Sequence, residues 1–188
     1  MTTSTDLTKK PIWAKRMGSY FDSLNLNHDK YLTIDEILTW ADNMEKACKA
    51  TPQEMKALRQ GLQDFWGIVG LVPGAQLTKE QFLHGVNRLG QLELKRKAEN
   101  KPTMHEKLNN AFFDVTDINN DGTVTLEELR IMMKACNMDP SGAEAWFQAA
   151  DVNKNGRIER GELNKSEFDF WFRPDDPSSG GVFGGTYE

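Results

Sequence analysis

Cysteine, histidine and long apolar runs are all scarce in this chain of 188 residues. It has two cysteines, Cys48 and Cys136, which are too few and too far apart for a disulfide scaffold. We therefore expect free thiols in a reducing, cytoplasmic compartment. His84 and His105 lack a His or Cys partner at zinc-ligand spacing, which argues against a zinc site. No apolar run reaches membrane-spanning length.

The charge balance excludes further classes. The chain has 23 Lys and Arg against 28 Asp and Glu, for a net charge of −5. Since no basic stripe is present, we expect no nucleic-acid partner. The polar opening, residues 1–6, is unlike a secretory signal. We also expect no membrane partner, a monomer, and no hydrolytic activity, because no Ser/His/Asp or Cys/His set is evident.

Two twelve-residue segments, 117–128 (loop III) and 151–162 (loop IV), share one design. Both carry side-chain oxygens at positions 1, 3, 5 and 12, glycine at 6 and a β-branched residue at 8. This is the pattern of an EF-hand calcium loop. The expected ligands are Asp117, Asn119, Asp121, the Thr123 carbonyl and Glu128 in loop III, and Asp151, Asn153, Asn155, the Arg157 carbonyl and Glu162 in loop IV. A merely polar turn is the alternative, and the repetition disfavours it.

A weaker copy of the motif lies upstream at residues 25–36 (loop I). Its expected ligands are Asn25, Asn27, Asp29, the Tyr31 carbonyl and Glu36. Asn25 is neutral where aspartate is usual, and Lys30 replaces the turn glycine. We expect Lys30 to enter the left-handed backbone region at an energetic cost, and loop I to bind calcium more weakly than loops III and IV. A loop that binds no ion is the alternative.

A fourth segment, 70–81 (loop II), keeps the frame without the ligands. Leu77 stands at position 8, Gln81 replaces the closing glutamate, and positions 1, 3 and 5 carry no acid. We expect a hand that keeps the fold and does not bind metal. The chain then divides into an N-terminal EF-hand pair (11–99), a C-terminal pair (100–172) and a tail (173–188) whose apolar residues dock on the body.

Helix signals flank all four loops and predict an all-α fold, a compact array of four helix-loop-helix units in two pairs. Thr51, Pro52 and Glu54 form a start signal with a capping box. Thr78, Thr103 and Ser141 are further expected starts. The predicted helices cover about 11–24, 36–48, 51–67, 78–98, 103 to the third loop, the third loop to 136, 141 to the fourth loop, and the fourth loop to 173.

The arrangement of loops resembles the calcium-regulated photoproteins of cnidarians and ctenophores and the related sarcoplasmic calcium-binding proteins. One feature that carries the resemblance is the second loop without calcium ligands. The others are the segments 50–54, 99–103, 113–117, 170–172, 176–177 and 183–185. It implies four hands wrapped around an apolar interior. In photoproteins that interior holds peroxidised coelenterazine, and calcium triggers light emission.

The resemblance also implies polar side chains that hold the substrate, and here the chain departs from it. Met17 stands where jellyfish-type photoproteins have a first-helix His, and Glu167 where they have a second one. Phe82 replaces a Tyr, and Phe183 replaces the tail Tyr. Three further substitutions replace Trp, namely Val86, Leu108 and Leu129. In the ctenophore alignment Tyr20 and Phe183 stand where an Arg and a tail Tyr are used. Luminescence is therefore predicted to be absent or inefficient.

Three functions remain open. The main hypothesis is a non-enzymatic calcium buffer or sensor that binds up to three ions. The alternatives are a calcium-triggered coelenterazine photoprotein, in effect a single-turnover oxygenase, or a calcium-gated carrier of another small apolar ligand. An interior cavity for such a ligand would be lined by Met17, Tyr20, Phe21, Phe82, Phe113, Trp146, Trp171 and Phe183. The competing interpretation is that these side chains form a packed core.

Overall fold

A computed structural model describes residues 6–175 of the chain. Within that range the chain forms eight α-helices and one two-stranded sheet, so the predicted all-α class is confirmed. The helices are α1 Pro11–Leu24, α2 Ile34–Cys48, α3 Pro52–Val69, α4 Lys79–Ala98, α5 Met104–Thr116, α6 Leu126–Ala135, α7 Ala143–Ala150 and α8 Arg160–Phe172. The strands are β1 Thr123–Val124 and β2 Ile158–Glu159.

Threonine capping boxes set the start of several helices. In each box the threonine hydroxyl oxygen accepts the backbone N–H of the residue three positions later. The side chain of that later residue accepts the backbone N–H of the threonine in return. The four threonines are Thr33, Thr51, Thr78 and Thr125. The start predicted at Thr51 is thus confirmed. The start predicted at Ser141 is wrong, because α7 begins at Ala143, and Ser141 lies in a preceding turn whose cap, Asp139, accepts the Ser141 N–H at 2.9 Å. A 3-10 turn over Pro140–Gly142 precedes α7.

Short antiparallel contacts join the loops in pairs. In the C-terminal half, β1 and β2 place Thr123 opposite Glu159 and Val124 opposite Ile158. In the N-terminal half, Leu32 and Leu77 exchange backbone hydrogen bonds of 2.9 and 3.0 Å. These residues occupy position 8 of their loops, so loop II keeps its structural partner although it lacks the ligands.

Helices of the two halves pack into a shared core. α3 lies against α5, α2 contacts α6, and α8 contacts both α4 and α5. The two ends of the described chain also meet, since the buried Trp13 indole N–H donates to the Trp171 carbonyl at 2.8 Å. Gly85 permits the close approach of α4 to α3, because a β-carbon there would lie 2.2 Å from the Val69 carbonyl oxygen.

Within residues 6–175, no helix combines the length and apolarity that a membrane crossing demands. The tail enters this range only at residues 173–175, where Lys10 forms an ion pair with Asp175. The predicted docking of the tail, and Phe183 with it, otherwise lies outside the described residues.

Candidate calcium loops and interior cavity

In loop III the carboxylate at position 1 organises the turn. Asp117 is buried at the end of α5 and accepts the N–H of Asp121 at 3.1 Å and that of Gly122 at 2.8 Å. Gly122 has a φ of +83°, a conformation that costs glycine little. The two bonds draw the loop around the carboxylate, so its backbone has the compact shape that an ion needs.

Glu128 closes loop III from the first turn of α6. One of its oxygens accepts the N–H of Ile118 at 3.0 Å, and the other accepts from the N–H and hydroxyl of Thr125 at 2.9 and 2.8 Å. This buried carboxylate therefore ties the beginning of the loop to its end. It occupies the position from which a bidentate glutamate binds calcium.

Loop IV repeats the arrangement. Asp151 accepts the N–H of Asn155 at 3.1 Å and that of Gly156 at 2.9 Å, and Gly156 has a φ of +78°. Glu162 accepts the N–H of Asn153 at 3.2 Å and that of Glu159 at 2.9 Å. The repetition follows from the same residue types at positions 1, 6 and 12.

Loop I shares the closing glutamate but differs at its start. Glu36 accepts the N–H of Leu26 at 3.1 Å and that of Thr33 at 2.9 Å, as Glu128 does in loop III. The Asn25 side chain instead donates its amide to the Asp29 carbonyl at 2.5 Å. Its oxygen, Oδ1, is buried and accepts no hydrogen bond. An amide at position 1 therefore does not gather the loop N–H groups as a carboxylate does.

The prediction that Lys30 enters the left-handed backbone region is wrong. Lys30 does not have a positive φ, whereas Gly122 and Gly156 at the equivalent position do. A side chain makes the left-handed conformation costly, and loop I takes a different path at position 6. Position 4 has a positive φ in all three loops, at His28 (54°), Asn120 (55°) and Lys154 (58°). His28 is exposed, as its loop position predicts.

The chemistry of these loops fits calcium. The predicted ligands are carboxylate, amide and carbonyl oxygens, which a hard cation prefers. Within residues 6–175, no three His, Cys, Asp or Glu side chains are grouped to hold a metal by themselves. Ion binding must therefore recruit the Asn and carbonyl oxygens as well. The unpartnered Asn25 Oδ1 is such an oxygen in loop I.

The guanidinium group of Arg157 connects the two C-terminal loops. Arg157 in loop IV donates to Asp121 Oδ2 at 2.6 Å and to the Thr123 hydroxyl at 2.9 Å in loop III. Bonds from Thr123 and from Arg157 lower the pKa of Asp121 to about 2. Asp121 is thus ionised near neutral pH, and the guanidinium competes for a predicted calcium ligand.

An interior cavity lies between the two halves of the molecule. Its volume is about 40 Å³. Its lining residues are Tyr20, Trp40, Phe65 and Trp66 from the N-terminal pair, and His105, Leu108, Asn109, Phe112, Thr116, Val124, Leu129, Met132, Cys136, Met138, Leu163, Glu167 and Trp171 from the C-terminal pair. Aromatic and aliphatic groups predominate, as in sites for ring-bearing ligands.

Several polar atoms in this lining have no hydrogen-bond partner. They are the indole nitrogens of Trp40 and Trp66 and Nε2 of His105, all buried. Buried polar groups are ordinarily bonded, because an unmade bond costs on the order of 1–3 kcal/mol. These atoms are donors that a bound molecule could satisfy.

Two titratable side chains face the same space. Burial lowers the pKa of His105 to about 3, and the charge of Lys97 adds to the effect. Burial raises the pKa of Glu167 to about 8, against a smaller lowering by a hydrogen bond with Asn109. Both groups are therefore predominantly neutral at pH 7.

The predicted cavity residues divide into two groups. Tyr20 and Trp171 line the cavity. Met17, Phe21, Phe82, Phe113 and Trp146 are buried at 0–3 % exposure but belong to the surrounding core. Phe21 and Phe82, for example, pack edge-to-face with their ring centroids 5.4 Å apart. Phe183 lies outside the described residues.

Of the two residues at the polar end of the cavity, the family resemblance indicated Glu167, and sequence reasoning missed His105. His105 was considered only as a metal ligand, although it shares the helical spacing of Leu108, Asn109 and Phe112 on one face of α5. That spacing is the available signal. Its proximity to Glu167 depends on the packing of α5 against α8, which the sequence alone does not reveal.

The comparisons with known proteins agree with this geometry. An EF-hand domain pair model matches residues 105–173. Obelin from Obelia longissima is 32 % identical over 177 residues, covering 93 % of this chain and 90 % of obelin. The solved structure of a light-sensitive photoprotein has a TM-score of 0.82 at 33 % identity and covers 93 % of this chain and 90 % of its own. A structure of apo-aequorin in complex with (S)-HM-daCTZ has a TM-score of 0.85 at 25 % identity, covering 95 % and 93 %.

The fold and the loops define the class as an EF-hand calcium-binding protein. The chain belongs to the photoprotein-like family of EF-hand proteins, to which obelin and aequorin are also assigned. The resemblance to photoproteins inferred from the sequence is therefore confirmed.

Proposed function

We propose that the protein holds a ring-bearing ligand of the coelenterazine class in its interior cavity and responds to calcium in the manner of a photoprotein. The observation that carries the proposal is the aromatic lining with unpartnered donors at Trp40, Trp66 and His105. The family membership supports this function better than a buffer or sensor, the main hypothesis from the sequence. A buffer has no use for an internal cavity with open donors.

The cavity must enlarge to admit such a molecule. An apolar cavity of about 150 Å³ holds benzene. The present 40 Å³ is smaller, so a ligand with several rings requires its walls to move. Met132 and Met138 line one side and are side chains that repack readily.

Calcium can act on this cavity through residues next to its predicted ligands. Thr116 precedes Asp117, and Leu129 follows Glu128. Both line the cavity, as does Val124 within loop III. A shift of Glu128 toward an ion would therefore alter the cavity wall directly. We propose up to three calcium ions, in loops III, IV and I.

The test is to incubate the purified protein with coelenterazine and oxygen, remove free ligand, and add calcium. Native mass spectrometry before calcium should detect one ligand per chain, and calcium should release light above the free-ligand background. Glu128→Gln should retain the ligand and respond only at higher calcium. A protein that retains no ligand contradicts the proposal and favours the buffer or sensor.

A second candidate is a calcium-gated carrier that emits no light. It is favoured by Met17, Phe82 and Leu108, which stand where the jellyfish-type resemblance implies polar groups. Light emission is predicted to be inefficient on that ground. The same experiment separates the candidates, because a carrier would lose its ligand on calcium addition without a burst of light.

A further inference from the structure

His105 and Glu167 face each other at the polar end of the cavity. Nε2 of the imidazole lies 4.0 Å from Oε2 of the carboxyl group, and the side chains are 3 % and 9 % exposed. This distance is too long for a hydrogen bond. Two buried polar groups are therefore held apart rather than joined, and a third polar atom could bond to both.

The bonding of the imidazole indicates which nitrogen carries the proton. The Asn109 side-chain nitrogen lies 3.4 Å from His105 Nδ1. An amide nitrogen only donates, so Nδ1 accepts and the proton of the neutral ring lies on Nε2. Nε2 has no partner within the described residues. Glu167, with its pKa raised by burial, retains an O–H donor at pH 7.

The surrounding residues hold this geometry in place. Glu93 is fully buried on α4 and accepts the N–H of Met104 at 3.1 Å and that of His105 at 2.8 Å. The imidazole also packs edge-on against Phe172, with centroids 5.4 Å apart. These contacts fix the start of α5 and pack one side of the ring, with Nε2 on the side of Glu167.

We propose that His105 and Glu167 form a two-donor clamp for an acceptor oxygen of the cavity ligand. The inference rests on the proposed function and names the ligand chemistry: a largely apolar, ring-bearing molecule with a carbonyl or ionised hydroxyl oxygen. Glu167 stands where the resemblance implies a histidine, and α5 supplies the imidazole instead. The chain thus retains an imidazole at this end of the cavity but takes it from another helix.

The test measures the affinity for coelenterazine under argon, with quenching of tryptophan fluorescence as the readout of binding. His105→Leu and Glu167→Leu should each weaken binding about tenfold, as expected for the loss of one buried hydrogen bond. His105→Gln and Glu167→Gln keep an N–H donor and should stay within about threefold of wild type. The double leucine variant should depart from the product of the single losses, because both donors serve one oxygen.

Thr39→Val is the control. Thr39 lies on α2 outside the cavity lining, and its hydroxyl donates to the Asp35 carbonyl at 3.0 Å, so binding should not change. If the leucine variants bind as tightly as wild type, the clamp is refuted while the proposed function stands. If wild type itself does not bind, the proposed function fails and the clamp with it.

A second measurement avoids variants that fail to fold. The ¹⁵N shifts of the His105 ring in the wild-type protein should identify a neutral Nε2–H tautomer at pH 7 that shifts when coelenterazine is added. An Nδ1–H tautomer, or resonances that ignore the ligand, would overturn the clamp.

Discussion

The two EF-hand pairs share a backbone plan but differ in what stands at position 1 of their loops. Asp117 and Asp151 in the C-terminal pair gather the N–H groups of positions 5 and 6. In the N-terminal pair Asn25 gathers neither, and Gly70 has no side chain. All four loops nevertheless keep their helices and their contact at position 8.

Helix packing and ion binding therefore depend on separate residues. The residues at position 8, Leu32 with Leu77 and Val124 with Ile158, join the loops in pairs and are not among the predicted calcium ligands. A carboxylate at position 1 adds a turn already shaped for an ion, so less ordering accompanies binding. We therefore expect loops III and IV to bind calcium more tightly than loop I.

The asymmetry extends to the cavity. The N-terminal pair contributes aromatic side chains, including Trp40 and Trp66. The C-terminal pair contributes the titratable groups His105 and Glu167, on helices that lead directly to or from loops III and IV. Calcium-dependent control of a ligand should accordingly act mainly through the C-terminal half.

Removing the closing glutamate of loop III should have the largest effect. Glu128→Gln removes one charge and the bidentate carboxylate, so calcium affinity at that site should fall roughly a hundredfold. Calorimetry would count one strong site fewer, and calcium would raise the unfolding midpoint by less than in wild type.

Glu127→Gln is the control for that change. Glu127 is the neighbouring residue in α6, its side chain is 72 % exposed, and it lies at a position of loop III that supplies no predicted ligand. It should alter the titration only slightly. An unchanged titration with Glu128→Gln would contradict the ligand assignment.

The contributions of His105 and Glu167 to the stability of the protein should depend on pH in opposite directions. The pKa of Glu167 is raised to about 8, so its contribution to stability is present at low pH and is lost as the pH rises toward 8. The pKa of His105 is lowered to about 3, so its contribution is present above pH 6.5 and is lost as the pH falls toward 3. Between pH 5 and 7 the two contributions to the unfolding free energy change in opposite directions, each by about 2 kcal/mol.

Single variants should separate these slopes. Relative to wild type, the unfolding free energy of Glu167→Gln should rise between pH 5 and 7, and that of His105→Gln should fall. Urea denaturation at several pH values measures both. Parallel curves for all three proteins would argue against neutral groups at this position.

Repairing loop I should have an intermediate effect. Asn25→Asp with Lys30→Gly restores the acid and the glycine of loop III, and we expect calcium affinity at loop I to rise about tenfold. Lys30→Gln separates the charge of the lysine from its backbone effect. If the double variant binds no better than wild type, position 1 is not what distinguishes the two pairs.

Removing the guanidinium that joins loops III and IV should have the smallest effect. Arg157→Gln frees Asp121 and should tighten calcium binding at loop III by no more than about threefold, since exposed ion pairs contribute little. The gain should shrink in high salt. Arg130→Gln removes the same charge from α6 and should change affinity less; equal effects would indicate net charge alone.

Much of this structure was predictable because its determinants are local. Capping boxes such as Thr51–Glu54 and loop oxygens at fixed spacing act over a few residues. The path of Lys30 was not predictable from the motif, because the motif does not show that the Asn25 amide bonds the Asp29 carbonyl. His105 and Glu167 are separated by 62 positions in the sequence, and their contact depends on how α5 packs against α8. The cavity lining was partly misjudged, since helical spacing does not distinguish Phe82 in the core from Phe112 at the cavity wall.

The most direct test follows the backbone amides at loop position 6 by NMR during a calcium titration. Gly122 and Gly156 donate to the position 1 carboxylates, whereas Lys30 has no such bond to Asn25. The resonances of Gly122 and Gly156 should move first, and that of Lys30 only at higher calcium. A titration in which Lys30 responds first, or in which neither glycine responds, would contradict the account.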